Sequence, residues 1–256
     1  MMKISVAIPT FNSSKYFYEC VKPFLKITSI SEIIVCDDNS KEDDIDNLDN
    51  IINKINKSRN AQIKLIKNDL RVGAYKNKLN AIKHCASEFV YQIDSDNIPG
   101  KSIEKIIQNT QFEKDLIYFP SSIRQFRNII FSKLFNEHLV LSEKTTVLDN
   151  IAINSEIKSK EIINDKDISW VLNIGNFIVH RENYIKTIEP TIESATNLSA
   201  DAMAISYYWI KSNKNIVLLN DFYHYHRKRP DSVSFTEGKN SLKSIEFYLR
   251  KFKELP

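Results

Sequence analysis

Phe89-Val90-Tyr91-Gln92-Ile93-Asp94-Ser95-Asp96 decides how this chain is read. An apolar run of strand length ends in two carboxylates one residue apart, and the carboxyl end of a strand is where an α/β protein usually holds its ligand. Such a pair is a seat for a divalent cation carrying a diphosphate. Upstream, Ile33-Ile34-Val35-Cys36 followed by Asp37-Asp38-Asn39-Ser40 repeats the arrangement. Two strand ends bearing acids suggest one nucleotide site drawn from separate segments.

Outward from these runs, strand and helix signals alternate. Ile4 to Ile8 is a first strand stopped by Pro9, and Ser14 to Ile27 sets Phe17, Cys20, Val21 and Phe24 on one helical face. Ile45, Leu48, Ile51, Ile52 and Ile55 give the next helix its buried stripe. Ile63 to Ile66 is a strand, and Lys76 to Ala86 a helix with Leu79 and Ile82 inward. This βα alternation predicts an α/β fold with a mostly parallel central sheet flanked by helices and right-handed crossovers.

Beyond Asp96 the pattern loosens into a mixed half. Ser102 is placed to cap a helix through Ile103, Ile106 and Ile107, and Leu116 to Phe119 is a short strand ended by Pro120. Residues 124–166 read as irregular or helical, with Arg124 and Arg127 either solvated or offered to an anion. Asn176 to His180 is a strand after a turn at Gly175, Ser199 to Lys211 a helix, and Val217–Leu219 and Phe222–His226 two strands before a turn at Pro230-Asp231. Residues 1–120 then form a donor-binding half and 121–256 an acceptor-binding half of one domain, with a peripheral C-terminal helix over 240–254.

The 256 residues carry 36 Lys plus Arg against 32 Asp plus Glu, and a net charge of +4 is too mild to imply nucleic acid as a partner. A phosphate-rich small ligand or an acidic membrane surface fits. Cys20, Cys36 and Cys85 read as buried free thiols, with no spacing that supports zinc. No signal-peptide pattern opens the sequence, and no run nears the roughly 18 apolar residues of a spanning helix. The expectation is a cytoplasmic protein, or one peripheral on the inner face of the membrane. Only four glycines occur, so Asn39 is expected to make a left-handed turn, and Gly73 and Gly175 are either ligand neighbours or plain turns.

Four segments taken in order resemble the inverting glycosyltransferases of family 2. They are Ala7-Ile8-Pro9-Thr10-Phe11-Asn12, Val35-Cys36-Asp37-Asp38-Asn39-Ser40, Asn68-Asp69-Leu70-Arg71-Val72-Gly73-Ala74-Tyr75-Lys76-Asn77 and Tyr91-Gln92-Ile93-Asp94-Ser95-Asp96-Asn97. The resemblance implies a GT-A fold and a nucleotide-sugar donor, UDP-linked by preference. It places Thr10 beside the base, Asp37 on the uracil or ribose, Arg71 in the base pocket and Asp94 facing the ribose. Asp96 would bind Mn²⁺ or Mg²⁺ against the diphosphate, and Pro9, Asn12, Asp38, Asn77 and Ser95 join the donor contacts. Asn97 stands where the family more often has an acid, Lys76 where it has Arg, and Asn39 where it often has Gly.

The same resemblance makes Asp201, in Ser199-Ala200-Asp201-Ala202-Met203-Ala204, the candidate base for the acceptor hydroxyl, although an Asp at a helix start is also an ordinary cap. Phe222-Tyr223-His224-Tyr225-His226-Arg227-Lys228-Arg229 looks like the family's late aromatic-basic strand, followed by a loop over the donor. There His224 or His226, with His226 preferred, would join the metal, and Arg227 and Arg229 would meet phosphates or solvent. Leu242, Ile245, Leu249 and Phe252 share a helical face that either docks on the protein's core or lies on a membrane near a lipid-linked acceptor. The implied activity is metal-dependent inverting transfer to a glycan or lipid-linked acceptor in surface polysaccharide synthesis. A nucleotidyltransferase and a noncatalytic nucleotide-sugar-binding scaffold are the alternatives, the first disfavoured by the absence of a glycine- and basic-rich phosphate loop at Pro9-Thr10-Phe11-Asn12.

Overall fold

Strand β1 (Ile4–Thr10) is buried at every residue because it is paired on both edges and covered on both faces. Its neighbours β2 (Ile30–Asp37) and β4 (Phe89–Gln92) run parallel to it, and β3 (Ile63–Lys67) runs parallel to β2. These belong to a computed structural model that describes residues 2–59, 62–126, 137–149, 151–153, 168–195, 200–229 and 238–255. The remaining strands are β5 (Ile98–Pro99), β6 (Leu116–Phe126), β7 (Glu137–Val140), β8 (Thr146–Leu148), β9 (Phe177–His180) and β10 (Asn215–Arg227). The sheet runs β3-β2-β1-β4-β9-β6-β10-β5, with β7 beside β6 and β8 beside β10. It is parallel through its first four strands and mixed beyond them, where β9 is antiparallel to both neighbours while β6 and β10 are mutually parallel.

The period of two along the strands sorts side chains into two layers. Ile4, Val6, Ile8, Ile33, Val35, Phe89 and Tyr91 pack beneath α1 (Ser14–Val21), α2 (Glu42–Arg59) and α4 (Ile103–Asn109). Ala7, Ile34, Cys36, Val90, Phe177 and Val179 face the opposite layer, built by α3 (Ala74–Lys83), α6 (Arg181–Ile188), α8 (Asp201–Lys211) and α9 (Gly238–Lys253). Two short helices, α5 (Ile168–Leu172) and α7 (Ile192–Ala195), complete that side. The three cysteines are free and buried, as expected. Leu249 and Phe252 of α9 are buried too, the Phe252 ring 5.4 Å from that of Tyr207, so the C-terminal part of this helical face docks on the core while Leu242 stays exposed. Trp209 and Tyr207 are buried helix residues.

Five sequence expectations are corrected. Pro9 does not stop β1. The Thr10 carbonyl faces β2, where it accepts from the Asp38 N–H, and that of Ala7 faces β4, where it accepts from Ile93. The nitrogen of Pro9 therefore faces the β4 side, beyond the last register pair Ala7–Gln92, where no partner is lost. Likewise β6 passes through Pro120, because β10 shifts register between Leu219 and Tyr223 and carries Asp221 at φ 62°. That bulge also makes one strand of the expected two. The span 124–166, read as irregular or helical, contains β7 and β8, while Arg127 lies outside the described residues. Ser102 takes the N-cap position of α4 as expected, but its hydroxyl makes no capping bond and donates instead to the Asp221 carbonyl at 2.5 Å.

Chain order and strand order together place the site. After β1 the chain moves outward through β2 and β3, then returns to lay β4 on the other edge of β1. At such a reversal the loops leaving the two strands diverge, and a crevice opens at their carboxyl ends.

Candidate active site

A cleft of about 860 Å³ fills that crevice. Its donor-side floor is held by neutral groups. The Thr10 hydroxyl meets that of Ser13 at 2.8 Å, which meets that of Ser95 at 2.6 Å, so the end of β1 is tied to the turn after β4. Asn77, in the first turn of α3, donates to the Cys36 carbonyl at 2.9 Å and accepts from Asn68 at 2.9 Å, clasping β2. Asn12, at φ 48°, accepts from the Lys41 N–H at 3.0 Å. Pro9, Thr10, Asn12, Asn77, Ser95 and Asp96 all line the cleft.

The two acids after β2 diverge in role. Asp37 is 2% exposed and does not line the cleft; it turns back on Ser40, accepting from its N–H at 2.9 Å and its hydroxyl at 2.5 Å. Burial raises its pKa against those bonds. Asn39 makes the left-handed turn at φ 59° that the shortage of glycine predicts. Asp38 lines the cleft and accepts from the N–H groups of Val72 and Gly73 at 2.7 and 2.9 Å, fixing the loop that carries Arg71. The Arg71 guanidinium lies 4.2 Å from the Phe11 ring centroid, an aromatic-basic wall beside Thr10.

Asp96 faces the cleft with Arg229, whose Nε lies 2.9 Å from Asp96 Oδ2. Arg227 is spent on structure: it pairs with Glu19, donates from Nε to the Asp96 carbonyl at 3.2 Å and stacks on Tyr16 and Phe126. His224 and His226 line the cleft with ring centroids 6.0 Å apart. Burial pulls the His224 pKa down to about 3, and among the described residues no group hydrogen-bonds its Nδ1. Burial also lowers the pKa of His226, against the pull of Asp96 and Asp94, which keeps the imidazole neutral and able to offer a lone pair. Among the described residues no three His, Cys, Asp or Glu side chains form a metal-binding group. Arg124 does not line the cleft; its guanidinium stacks 4.3 Å from the Tyr223 centroid. The loop expected over the donor, residues 230–234, and Ser199 lie outside the described residues.

The opposite wall is ionic. Asp201 opens α8 as its first helical residue, after the N-cap Ala200, so its carboxylate is not in the capping position. Instead Oδ2 lies 2.6 Å from the Nζ of Lys78, which is also 3.1 Å from Asp94 Oδ1 and 3.4 Å from the Gly175 carbonyl that accepts from it. Burial disfavours a charged Lys78, yet Asp201 and Asp94 together raise its pKa above the ordinary ammonium value. Burial raises the pKa of Asp94, with Lys78 opposing. Gly175 leaves room for this contact: a Cβ there would stand 2.8 Å from Asp94 Oδ2 and 2.9 Å from Lys78 Nζ.

Sequence reading missed Lys78, though a signal existed. Tyr75, Lys78, Leu79 and Ile82 follow the i, i+3, i+4, i+7 stripe of α3, so a lysine occupies a buried position and needs a buried partner.

The sequence model of the family described as Glycosyl transferase family 2 matches residues 5–188. Glycosyltransferase GlyG of Streptococcus pneumoniae serotype 4 is 27% identical over 239 residues, covering 91% of this chain and 73% of that protein. S. aureus TarS 1-349, solved in complex with UDP-GlcNAc, superposes with a TM-score of 0.61 at 20% identity, over 96% of this chain and 66% of the other. GalNAc-T7, solved with UDP, GalNAc and Mn²⁺, gives 0.61 at 14% identity over 96% and 48%. The chain thus spans less than two thirds of these solved chains, and at such identities the likeness is one of fold. The family match begins in β1, takes in the carboxyl ends of β1, β2 and β4 and closes with α6, over more than half of the chain, and on that ground the chain belongs to glycosyl transferase family 2, with the GT-A fold.

Proposed function

We propose that this chain transfers a sugar from a UDP-sugar, with inversion and with the help of Mn²⁺ or Mg²⁺, to a glycan or lipid-linked acceptor in surface polysaccharide synthesis. The observation that carries the reading is the pair of opposed walls at the β1/β4 crevice. One bears Asp96 and His226, and the other bears Asp201 at the start of α8. The UDP present in the TarS and GalNAc-T7 complexes supports the choice of nucleotide.

In this reading the base sits over Thr10 beside Arg71 and Phe11, and Asp94 faces the ribose. Asp201 accepts the proton of the acceptor hydroxyl as that oxygen attacks the anomeric carbon from the face opposite the diphosphate. The donor set fits a hard cation, since a carboxylate oxygen and a neutral imidazole are both suitable ligands and the rest of the shell falls to phosphate oxygens and water. Held by Asp96 and His226, such an ion would supply neutralisation of the leaving diphosphate. Arg229, beside Asp96, adds positive charge on that wall. Residues 1–120 serve the donor and 121–256 the acceptor.

Location belongs to the same proposal, cytoplasmic and peripheral on the inner membrane face. No helix among the described residues is long and apolar enough to cross a membrane. Leu242 and Phe247 of α9 are exposed at 63% and 44%, among exposed Lys239, Lys243 and Arg250, which supports surface contact.

Calorimetric titration of UDP with Mn²⁺ tests the donor site. Binding that is lost with EDTA and in Asp96→Ala is the expected result, and Asp201→Asn should still bind UDP while turnover disappears. Metal-independent binding would overturn the metal assignment. Binding without turnover by the native chain would favour a noncatalytic scaffold.

A further inference from the structure

Lys78 is the buried charge that the mechanism above leaves unused. Its side chain is 5% exposed, and a lysine so placed is retained only where its charge is compensated. Compensation comes from two carboxylates belonging to opposite walls of the cleft, Asp94 at 3.1 Å and Asp201 at 2.6 Å. The Gly175 carbonyl accepts a third contact at 3.4 Å. Asp201 is the first residue of α8, with Ala200 at the N-cap, and the Lys78 ammonium is the partner that the described residues give its carboxylate. Without Lys78, a short side chain at the mouth of α8 would be free to turn among its rotamers.

We propose that Lys78 is a positioning residue for Asp201: its ammonium holds Oδ2 of the base, leaves the other oxygen for the acceptor hydroxyl, and ties the base to the donor-side Asp94. The inference rests on the reading of Asp201 as base. It makes one cation the joint between the two walls, so the base is set relative to the ribose-facing carboxylate and not only relative to its own helix. Positioning of this kind acts on the rate of the bound complex, since a misplacement near 1 Å costs about 100-fold.

The test uses Lys78→Met, Asp201→Asn and the double variant, with turnover read as UDP released at saturating donor. UDP-glucose, UDP-galactose, UDP-GlcNAc and UDP-GalNAc are the donors, and p-nitrophenyl glycosides the acceptors. Lys78→Met should lose about 100-fold in kcat while its Kd for UDP with Mn²⁺ stays within about threefold, and the double variant should be no slower than Asp201→Asn alone. Gly175→Ala, whose Cβ meets Nζ at 2.9 Å, displaces the ammonium by a second route and should lower kcat in the same way, which serves if Lys78→Met fails to fold. An unchanged kcat in either folded variant, with Asp201→Asn inactive, would overturn the role of Lys78 and leave the proposed function standing. Equal losses in kcat and UDP affinity would make Lys78 a donor-site support and overturn it as well. Transfer retained by Asp201→Asn, or no UDP release by the native chain, would remove the base reading and this inference with it.

Discussion

The two walls of the cleft are held by opposite means. On the donor side, Thr10, Ser13, Ser95, Asn12, Asn68 and Asn77 form a mesh of neutral hydrogen bonds, and Asp38 spends its charge on backbone N–H groups. Across the cleft, Asp201 is held by an ionic cluster, in which the one ammonium of Lys78 joins it to Asp94 of the donor side. A mesh shares its load, so each member contributes a typical hydrogen bond. A cluster with one cation does not, and its loss leaves two carboxylates facing each other.

The sharpest way to break this contrast is Lys78→Met. Removing one partner of a buried ion cluster costs about 3 kcal/mol, measured as a fall in the urea midpoint near neutral pH. The effect has a sign in pH. Because the folded pKa of Lys78 is raised, its contribution is fully present below the ordinary lysine value of about 10.4 and is lost as pH rises through the folded value. The gap between native and variant midpoints should therefore hold from neutral pH to about pH 10 and narrow above it. A gap that widened with alkali would contradict the cluster.

Asp38→Ala comes next, at about 2 kcal/mol, since the Val72 and Gly73 N–H groups lose their acceptor and only water can replace it. The same variant should loosen the 68–73 loop, read as faster hydrogen exchange at those two amides. Ser13→Ala should cost the least, about 1 kcal/mol, because Thr10 and Ser95 keep their other surroundings. A Ser13→Ala loss as large as that of Lys78→Met would erase the distinction between mesh and cluster.

The contrast also explains what could be read without coordinates. The donor wall is written in contiguous stretches, each a strand followed by its acids, because a parallel sheet delivers its carboxyl ends to one edge; Asp38, Asp94 and Asp96 were legible on that account. Asp37 shows the limit, since spacing does not tell which of two adjacent carboxylates turns inward to Ser40. The ionic cluster joins positions 78, 94, 175 and 201, which no local pattern connects, and Lys78 is visible only as a charge out of place on an apolar stripe. The mixed half was read least well. Its long strands β6 and β10 pass through Pro120 and the bulge at Asp221, residues that ordinarily punctuate a strand and here sit where the register shifts.

Pro9 gives the cleft a durability that its polar lining does not. An open seam between two parallel strands is a standing invitation to any extended segment, the protein's own loops included, to slide in and continue the ladder. With a ring in place of an N–H at the first unpaired position of β1, that zipper has a missing tooth. Beside the crevice the backbone offers an acceptor at Pro9 but no donor, so a second strand laid there would be short of one ladder bond, while a small molecule bound by side chains would lose nothing.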